Sequence, residues 1–185
     1  AVKALAVIFD TKLGRPRKVD YRHLGADELG SVYESLLELE PRLDDGGTYV
    51  LKKLEGNDRK TSGSYYTPSP LIDCLLDSAL DPVIDKAVRS GTTKEERKAA
   101  LLALSVCDPA CGSGHFLVAA ARRIARRFAE IDTDDPEPGA EDVRHALRTV
   151  ISRCVYGVDL NPMAVELAKV SLWIEAMEPG RPLTF

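Results

Sequence analysis

The chain of 185 residues has few cysteines, and they are not arranged as a disulfide framework or a metal site. Cys74, Cys107, Cys111 and Cys154 include no C-x-x-C pair, and none has zinc-like spacing with His23, His115 or His145. The expectation is reduced thiols in core or turn positions and no metal ligands. No apolar run approaches the length of a membrane span and no signal-peptide pattern opens the sequence, so a cytoplasmic protein without membrane contact is expected. Basic charge is not in excess either. The net charge is −4, whereas a segment whose main task is to grip phosphate carries a basic surface. The remaining composition, 44% hydrophobic and 29% charged, is ordinary globular composition, enough for one domain or part of a larger one.

The stretch that organises the chain is Cys107-Asp108-Pro109-Ala110-Cys111-Gly112-Ser113-Gly114-His115-Phe116-Leu117. Before it, Leu101, Leu102, Leu104 and Val106 form an apolar run of strand length; after it, Leu117, Ala120, Ala121, Ile124 and Phe128 recur at helical spacing. Strand, glycine-rich turn and helix is how an α/β nucleotide site begins. Gly112 and Gly114 let the backbone turn sharply and let a ligand come close. The helix that follows offers free N–H groups and a partial positive charge. The third glycine of the dinucleotide fingerprint is absent, because Leu117 occupies its place. Asp108 closes the strand; its carboxylate would repel a pyrophosphate but suits a ligand bearing an ammonium group. S-adenosylmethionine is therefore favoured over NAD or ATP.

A second signal lies in Cys154-Val155-Tyr156-Gly157-Val158-Asp159-Leu160-Asn161-Pro162. An apolar strand ends in an acid, and Asn161 and Pro162 then supply an N-cap and a first helical residue. A carboxylate at the end of the second strand can accept hydrogen bonds from two ribose hydroxyls; the alternative is an acid that only caps the helix. Asp159 lies 45 residues beyond Gly114, more than the roughly 20 of a simple dinucleotide fold. An acidic loop, Asp132 to Asp142, and a helix from Asp142 to Ser152 account for the excess. The helix from Met163 to Met177 is apolar on more than one face, so heavy burial is expected.

Elsewhere the reading is coarser. Residues 2–9 suit a strand or a helix, and Lys12 to His23 reads as a basic connector or a DNA-backbone contact. Leu29, Val32, Tyr33, Leu36 and Leu37 mark an amphipathic helix over Asp27–Leu39, ended by Pro41. A loop at Asp44–Gly47 and a strand at Thr48–Leu51 follow. Thr67 is a plausible N-cap with Pro68 at the first helical position, and the helix runs through Leu71, Ile72, Leu75, Leu76 and Ala79. Residues from Gly91 to Leu104 read as a charged connector into the first sheet strand. Arg122, Arg123, Arg126 and Arg127 suit a solvated face or a phosphate contact.

The run Asp108-Pro-Ala-Cys-Gly-Ser-Gly-His-Phe-Leu resembles the cofactor motif of N6-adenine-specific DNA methyltransferases, especially the large enzymes of type IIG restriction-modification and BREX-like phage-defence systems. Tyr65-Tyr66-Thr67-Pro68 resembles that family's additional cofactor element, and Gly157-Val-Asp-Leu-Asn-Pro-Met-Ala-Val-Glu-Leu-Ala its second motif. The resemblance implies a Rossmann-like class I S-adenosylmethionine-dependent methyltransferase fold. This is α/β, a partial parallel sheet with flanking helices, and a mainly helical N-terminal segment over 1–64 precedes the first part of the methyltransferase domain over 65–185. It implies a cofactor site of Tyr66, Thr67, Pro68, Asp108, Pro109, Ala110, Cys111, Gly112, Ser113, Gly114, Phe116, Asp159, Leu160 and Asn161. Thr67-Pro68 would help enclose the methionine part, Asp159 would hold the ribose and Leu160 would pack against the adenine. The family's catalytic Asn-Pro-Pro-aromatic motif is absent, since Met163 follows the single Asn-Pro pair; it is expected beyond Phe185. The chain therefore reads as a piece of an adenine methyltransferase that meets double-stranded DNA through its full-length parent, inactive alone and prone to self-association. The rival readings are a class I methyltransferase acting on RNA, protein or a small molecule, and a degenerate interaction module.

Overall fold

The computed structural model describes residues 7–19, 32, 39–44, 46–53 and 67–178. The first of these form two antiparallel hairpins. β1 (Val7–Asp10) pairs with β2 (Arg15–Lys18), and β3 (Leu39–Leu43) pairs with β4 (Tyr49–Lys53). Each hairpin is closed by an aspartate whose side chain takes the turn's N–H groups. Asp10 Oδ1 accepts from Lys12 and Leu13 at 3.0 and 3.1 Å, and Asp44 Oδ1 accepts from Gly46 and Thr48 at 3.0 and 2.8 Å. The basic stretch expected as a connector is thus partly strand. Leu39 and Pro41, expected to finish a helix, lie inside β3. A two-stranded ribbon consists only of edges, so it tolerates a proline that a central strand would not. Apart from Val32, which is helical, and Leu39, the expected helix of Asp27–Leu39 lies outside the described residues.

The continuous part runs α1 (Ser69–Ala79), α2 (Asp81–Ser90), α3 (Lys94–Leu102), β5 (Val106–Asp108), α4 (His115–Thr133), α5 (Ala140–Cys154), β6 (Val155–Gly157) and α6 (Pro162–Glu175). β5 and β6 are parallel, with Val106 opposite Val155, Cys107 opposite Tyr156 and Asp108 opposite Gly157. α4 is the centre of the packing. Its Leu117, Val118, Ala120, Ala121, Ile124 and Ala125 are at most 1% exposed. Ile72 and Leu76 of α1, Ile84 of α2, Leu101 of α3 and Leu147 and Val150 of α5 belong to the core around it. Burying a Leu, Ile or Val of this kind contributes about 1.5–3 kcal/mol each, which makes α4 the rigid member that carries the glycine turn at its start.

The structure departs from the sequence reading at several helix ends. Leu101 and Leu102 end α3 instead of opening a strand, and the strand is only Val106–Asp108. The helix opens on a capping box. Glu96 N–H donates to Thr93 Oγ1 at 3.2 Å, and Glu96 Oε2 accepts from the N–H groups of Thr93 and Thr92 at 3.1 and 2.8 Å. α1 begins at Ser69, so Pro68 rather than Thr67 occupies the cap position, without a side-chain capping bond. α6 is less buried than its composition suggests. Ala164, Ala168 and Ser171 are buried, but Met163, Val170 and Trp173 stay exposed because only one face meets α4 and α5.

The four arginines of α4 line a largely solvated face, with Arg122 and Arg126 exposed, but each of them is held in ion pairs. Arg122 makes a bidentate pair with Glu175 of α6 at 2.8 and 2.6 Å. Arg123 reaches Asp73, Asp77 and Asp81, where α1 meets α2. Arg126 and Arg127 pair with Glu130, and Arg127 also pairs with Asp85. Carboxylates on neighbouring helices and Glu130 of α4 itself have taken up the charge that a phosphate would need. Among the described residues no helix is long and apolar enough to cross a membrane.

Candidate cofactor site

The candidate site sits where β5 and β6 end side by side. Beyond the paired residues, Val158 N–H donates to the Asp108 carbonyl and Cys111 N–H donates to the Val158 carbonyl, each at 2.9 Å. The two turns after the strands are therefore stitched together before either helix begins. Asp108 Oδ1 accepts from Ala110 N–H at 3.0 Å, and Gly114 N–H donates to the Cys111 carbonyl at 2.8 Å, closing a tight turn.

Gly112 and Gly114 are left-handed, with φ of +52° and +88°. A Cβ on Gly112 would meet nothing within 4 Å, whereas one on Gly114 would lie 3.2 Å from Ala168 Cβ and 3.3 Å from Ala168 Cα. One glycine leaves open space above the turn, and the other lets α6 approach α4. Gly157, which the sequence reading passed over, does similar work: a Cβ there would lie 2.7 Å from Leu117 Cδ1 and 3.0 Å from Cys111 Sγ. Its place at the end of an apolar strand, two residues before an acid, was the available signal.

Asp159 uses both carboxylate oxygens. Oδ2 accepts from Gly112 N–H at 2.9 Å and Oδ1 accepts from Asn161 N–H at 2.8 Å. Asn161 caps α6 as its sequence position predicts, its Oδ1 accepting from Met163 N–H at 3.0 Å. Ser113 is buried, with its hydroxyl 2.8 Å from His115 Nδ1, and the ring's tautomer decides which of them donates. His115 opens α4 and was not singled out in the sequence. Burial, reinforced by Asp159 and Asp108, pushes the Cys111 thiol up and keeps it protonated.

The structure thus brings Asp108 to Gly114, Phe116 and Asp159 to Asn161 into one cluster. Leu160 is fully exposed at 102% of its reference area, so its side chain is available to lie against a flat ligand ring. An apolar groove of about 450 Å³ runs between α1, α2, β5 and the start of α4, lined by Leu75, Leu76, Val83, Asp108, Pro109 and Phe116 among others. Thr67 and Pro68 stand at the start of α1, and the groove is lined by that helix's later residues instead. Tyr66 lies outside the described residues.

These features fit a nucleoside carrying a cationic, amino-acid-like tail. A carboxylate oxygen accepts about two hydrogen bonds, so each oxygen of Asp159 keeps capacity for one hydroxyl. The first N–H groups of α4 have no partner within the helix and face the glycine turn. Among the described residues no three His, Cys, Asp or Glu side chains converge as a metal site requires.

Comparison with known proteins bears on the same residues. Residues 84–179, a little over half of the chain and including both turns, match the family described as MmeI, DNA-methyltransferase domain. The adenine-specific methyltransferase PglX of Streptomyces coelicolor is 34% identical over 187 residues, covering 92% of this chain and 14% of that protein. A putative type II restriction enzyme and methyltransferase of Methanocaldococcus jannaschii is 25% identical over 84% of the chain and 14% of its own length. The methylase subunit of the type I restriction enzyme MjaIX from the same organism is 28% identical over 84% of the chain and 18% of its own length. The chain therefore spans less than a fifth of these relatives. No solved structure matches it.

Proposed function

Because the chain belongs to the DNA-methyltransferase family described by the MmeI methyltransferase domain, we propose that it is the cofactor-holding part of an adenine-N6 DNA methyltransferase of restriction-modification or phage defence. The cofactor is S-adenosylmethionine, the substrate is adenine in double-stranded DNA, and the fold is the first part of a Rossmann-like class I methyltransferase domain over residues 65–185, behind a separate segment over 1–64. The observation that carries the reading is the tie between the two turns. Asp159, at the end of one parallel strand, is bonded directly to the glycine turn at the end of the other.

The chain's own contribution is binding and orientation. The remaining acceptor capacity of Asp159 takes the ribose hydroxyls, and Leu160 and Asn161 flank the adenine end. Asp108, with Pro109 and Ala110 behind it, attracts the cationic tail. Cys111, Gly112, Ser113 and Gly114 shape the turn under the ligand, while Phe116 bounds the groove beside it. By the family resemblance, Thr67 and Pro68 help enclose the methionine end. The bound cofactor supplies an activated methyl group on sulfur; catalysis then depends mostly on holding that group in line with the acceptor nitrogen. The acceptor adenine must leave the duplex stack, at a cost of a few kcal/mol, and enter a pocket. The sequence holds a single Asn-Pro pair, Asn161-Pro162, which caps α6, so that pocket belongs to the remainder of the parent protein.

Labelled cofactor incubated with the full-length parent and mixed-sequence duplex DNA tests the reading. Label is expected at adenine N6, and none with this chain alone. Label transferred only to RNA, protein or a small molecule would overturn it. The exposed Tyr156, Val158, Met163 and Val170 make the isolated chain a candidate for self-association, and a concentration-independent monomer in size-exclusion chromatography would refute that.

A further inference from the structure

The geometry points to Asp159 as the residue that sets the shape of the glycine turn before any ligand arrives. This rests on the cofactor reading above and assigns Asp159 a positioning role in addition to contact with the ribose. Two observations carry it. The bond from Gly112 N–H to Asp159 Oδ2, at 2.9 Å, links residues 47 apart in sequence, whereas the bond of Asp108 is to Ala110, two residues on. In addition, apart from its chain neighbours nothing lies within 4 Å of the Cβ position of Gly112, so no side chain props this left-handed residue from that side, and its N–H bond to Asp159 is a restraint from outside the turn. A hydrogen bond from a backbone N–H to a carboxylate is about twice as strong as a neutral one. With Asn161 N–H on the other oxygen, the carboxylate is itself clamped and cannot follow a drifting turn. Asp159 therefore couples the two halves of the site: the ribose end and the turn under the rest of the ligand are ordered together.

The test combines binding and exchange on the chain as it stands. Calorimetry would compare S-adenosylhomocysteine and its 2′,3′-dideoxy counterpart on wild type, Asp159→Ala, Asp159→Asn and the control Asp108→Ala. Amide exchange of Gly112 would be followed by NMR without ligand, with the amides of Ile124 and Phe128 reporting whether each variant is folded. The tie predicts that Asp159→Ala weakens the dideoxy ligand about tenfold, although that ligand has no ribose diol, and speeds Gly112 exchange by a similar factor with α4 unchanged. Asp159→Asn, whose single amide oxygen can serve only one of the two N–H groups, should fall between. Dideoxy affinity and Gly112 exchange that both match wild type in Asp159→Ala would overturn the proposal and leave Asp159 as a hydroxyl contact alone. Wild-type protein that binds neither ligand would overturn the cofactor reading instead, and the exchange measurement would still decide the tie.

Discussion

Gly114→Ala is a test of how α4 and α6 come together. Gly114 has φ of +88°, and an alanine would have to hold that left-handed conformation at a cost of about 1–2 kcal/mol. The new Cβ would also sit 3.2 Å from Ala168 Cβ and 3.3 Å from Ala168 Cα, the second a backbone atom that cannot rotate away. α6 would have to withdraw by a few tenths of an ångström, which adds roughly 1 kcal/mol at the low end of overpacking costs. Reduced freedom of the unfolded chain returns about 0.4–1 kcal/mol, leaving a net loss of about 1–2.5 kcal/mol. Gly112→Ala is the natural control, because its φ of +52° carries a similar backbone cost but its Cβ meets nothing within 4 Å. Its net loss should be smaller by the roughly 1 kcal/mol of crowding, about 1.5 kcal/mol or less. At this chain length, with about 2–4 °C per kcal/mol, Gly114→Ala should melt about 2–10 °C below wild type and Gly112→Ala about 2–4 °C closer to it. Urea denaturation followed by circular dichroism would give the free energies. Adding Ala168→Gly should relieve the crowding, giving a coupling of about 1 kcal/mol with Gly114→Ala in a double-mutant cycle and none with Gly112→Ala. Equal losses for the two glycine variants, or no coupling to Ala168, would refute the reasoning.

Further expectations concern the helical frame. Arg123→Met, which keeps the stem but removes the charge, leaves Asp73, Asp77 and Asp81 facing one another; because these carboxylates are largely exposed, the loss should be only about 1–2 kcal/mol. Thermal melts at low and high salt would show it shrinking as salt screens the carboxylates, and a salt-independent loss would argue against the charge account. At Glu96 the Thr92 hydroxyl, then the Thr92 and Thr93 N–H groups, lower the carboxyl from 4.5 to about 2. A depressed folded value gives stability that is full above the unfolded pKa and lost as pH falls through the folded one. Glu96→Gln should therefore be less stable than wild type at pH 7, the gap closing between about pH 4.5 and 2 in melts across that range. Cys74 and Cys107 are exposed while Cys111 and Cys154 are buried, and burial pushes both buried thiols up. An aromatic disulfide reagent should titrate two thiols at once and four only in denaturant; rapid reaction of Cys111 would show that the turn opens readily.

The sequence alone determined the local geometry of the site. Gly112 and Gly114 had to form a turn because only glycine adopts those angles cheaply. Asn161-Pro162 had to start a helix because the asparagine oxygen reaches Met163 N–H and proline is suited to the first helical position. The long α4 followed from apolar spacing, which is a property of the helix itself. Other features were just as local but were passed over, such as Thr93 and Glu96, whose capping box opens the helix that ends at Leu101 and Leu102. Some features depend on partners remote in sequence. The arginines of α4 read as a solvated face rather than a phosphate contact, but their ion-pair partners Asp73, Asp77, Asp81 and Glu175 come from three other helices. Gly157 gained its purpose only when Leu117 and Cys111 packed over it. Asp159 looked like a ribose acceptor or a helix cap, and the fold made it a bond to Gly112, 47 residues away. Periodicity and capping extend over three or four residues, so they specify elements. Which charge meets which, and how closely two backbones approach, is decided by contacts that exist only once those elements have packed.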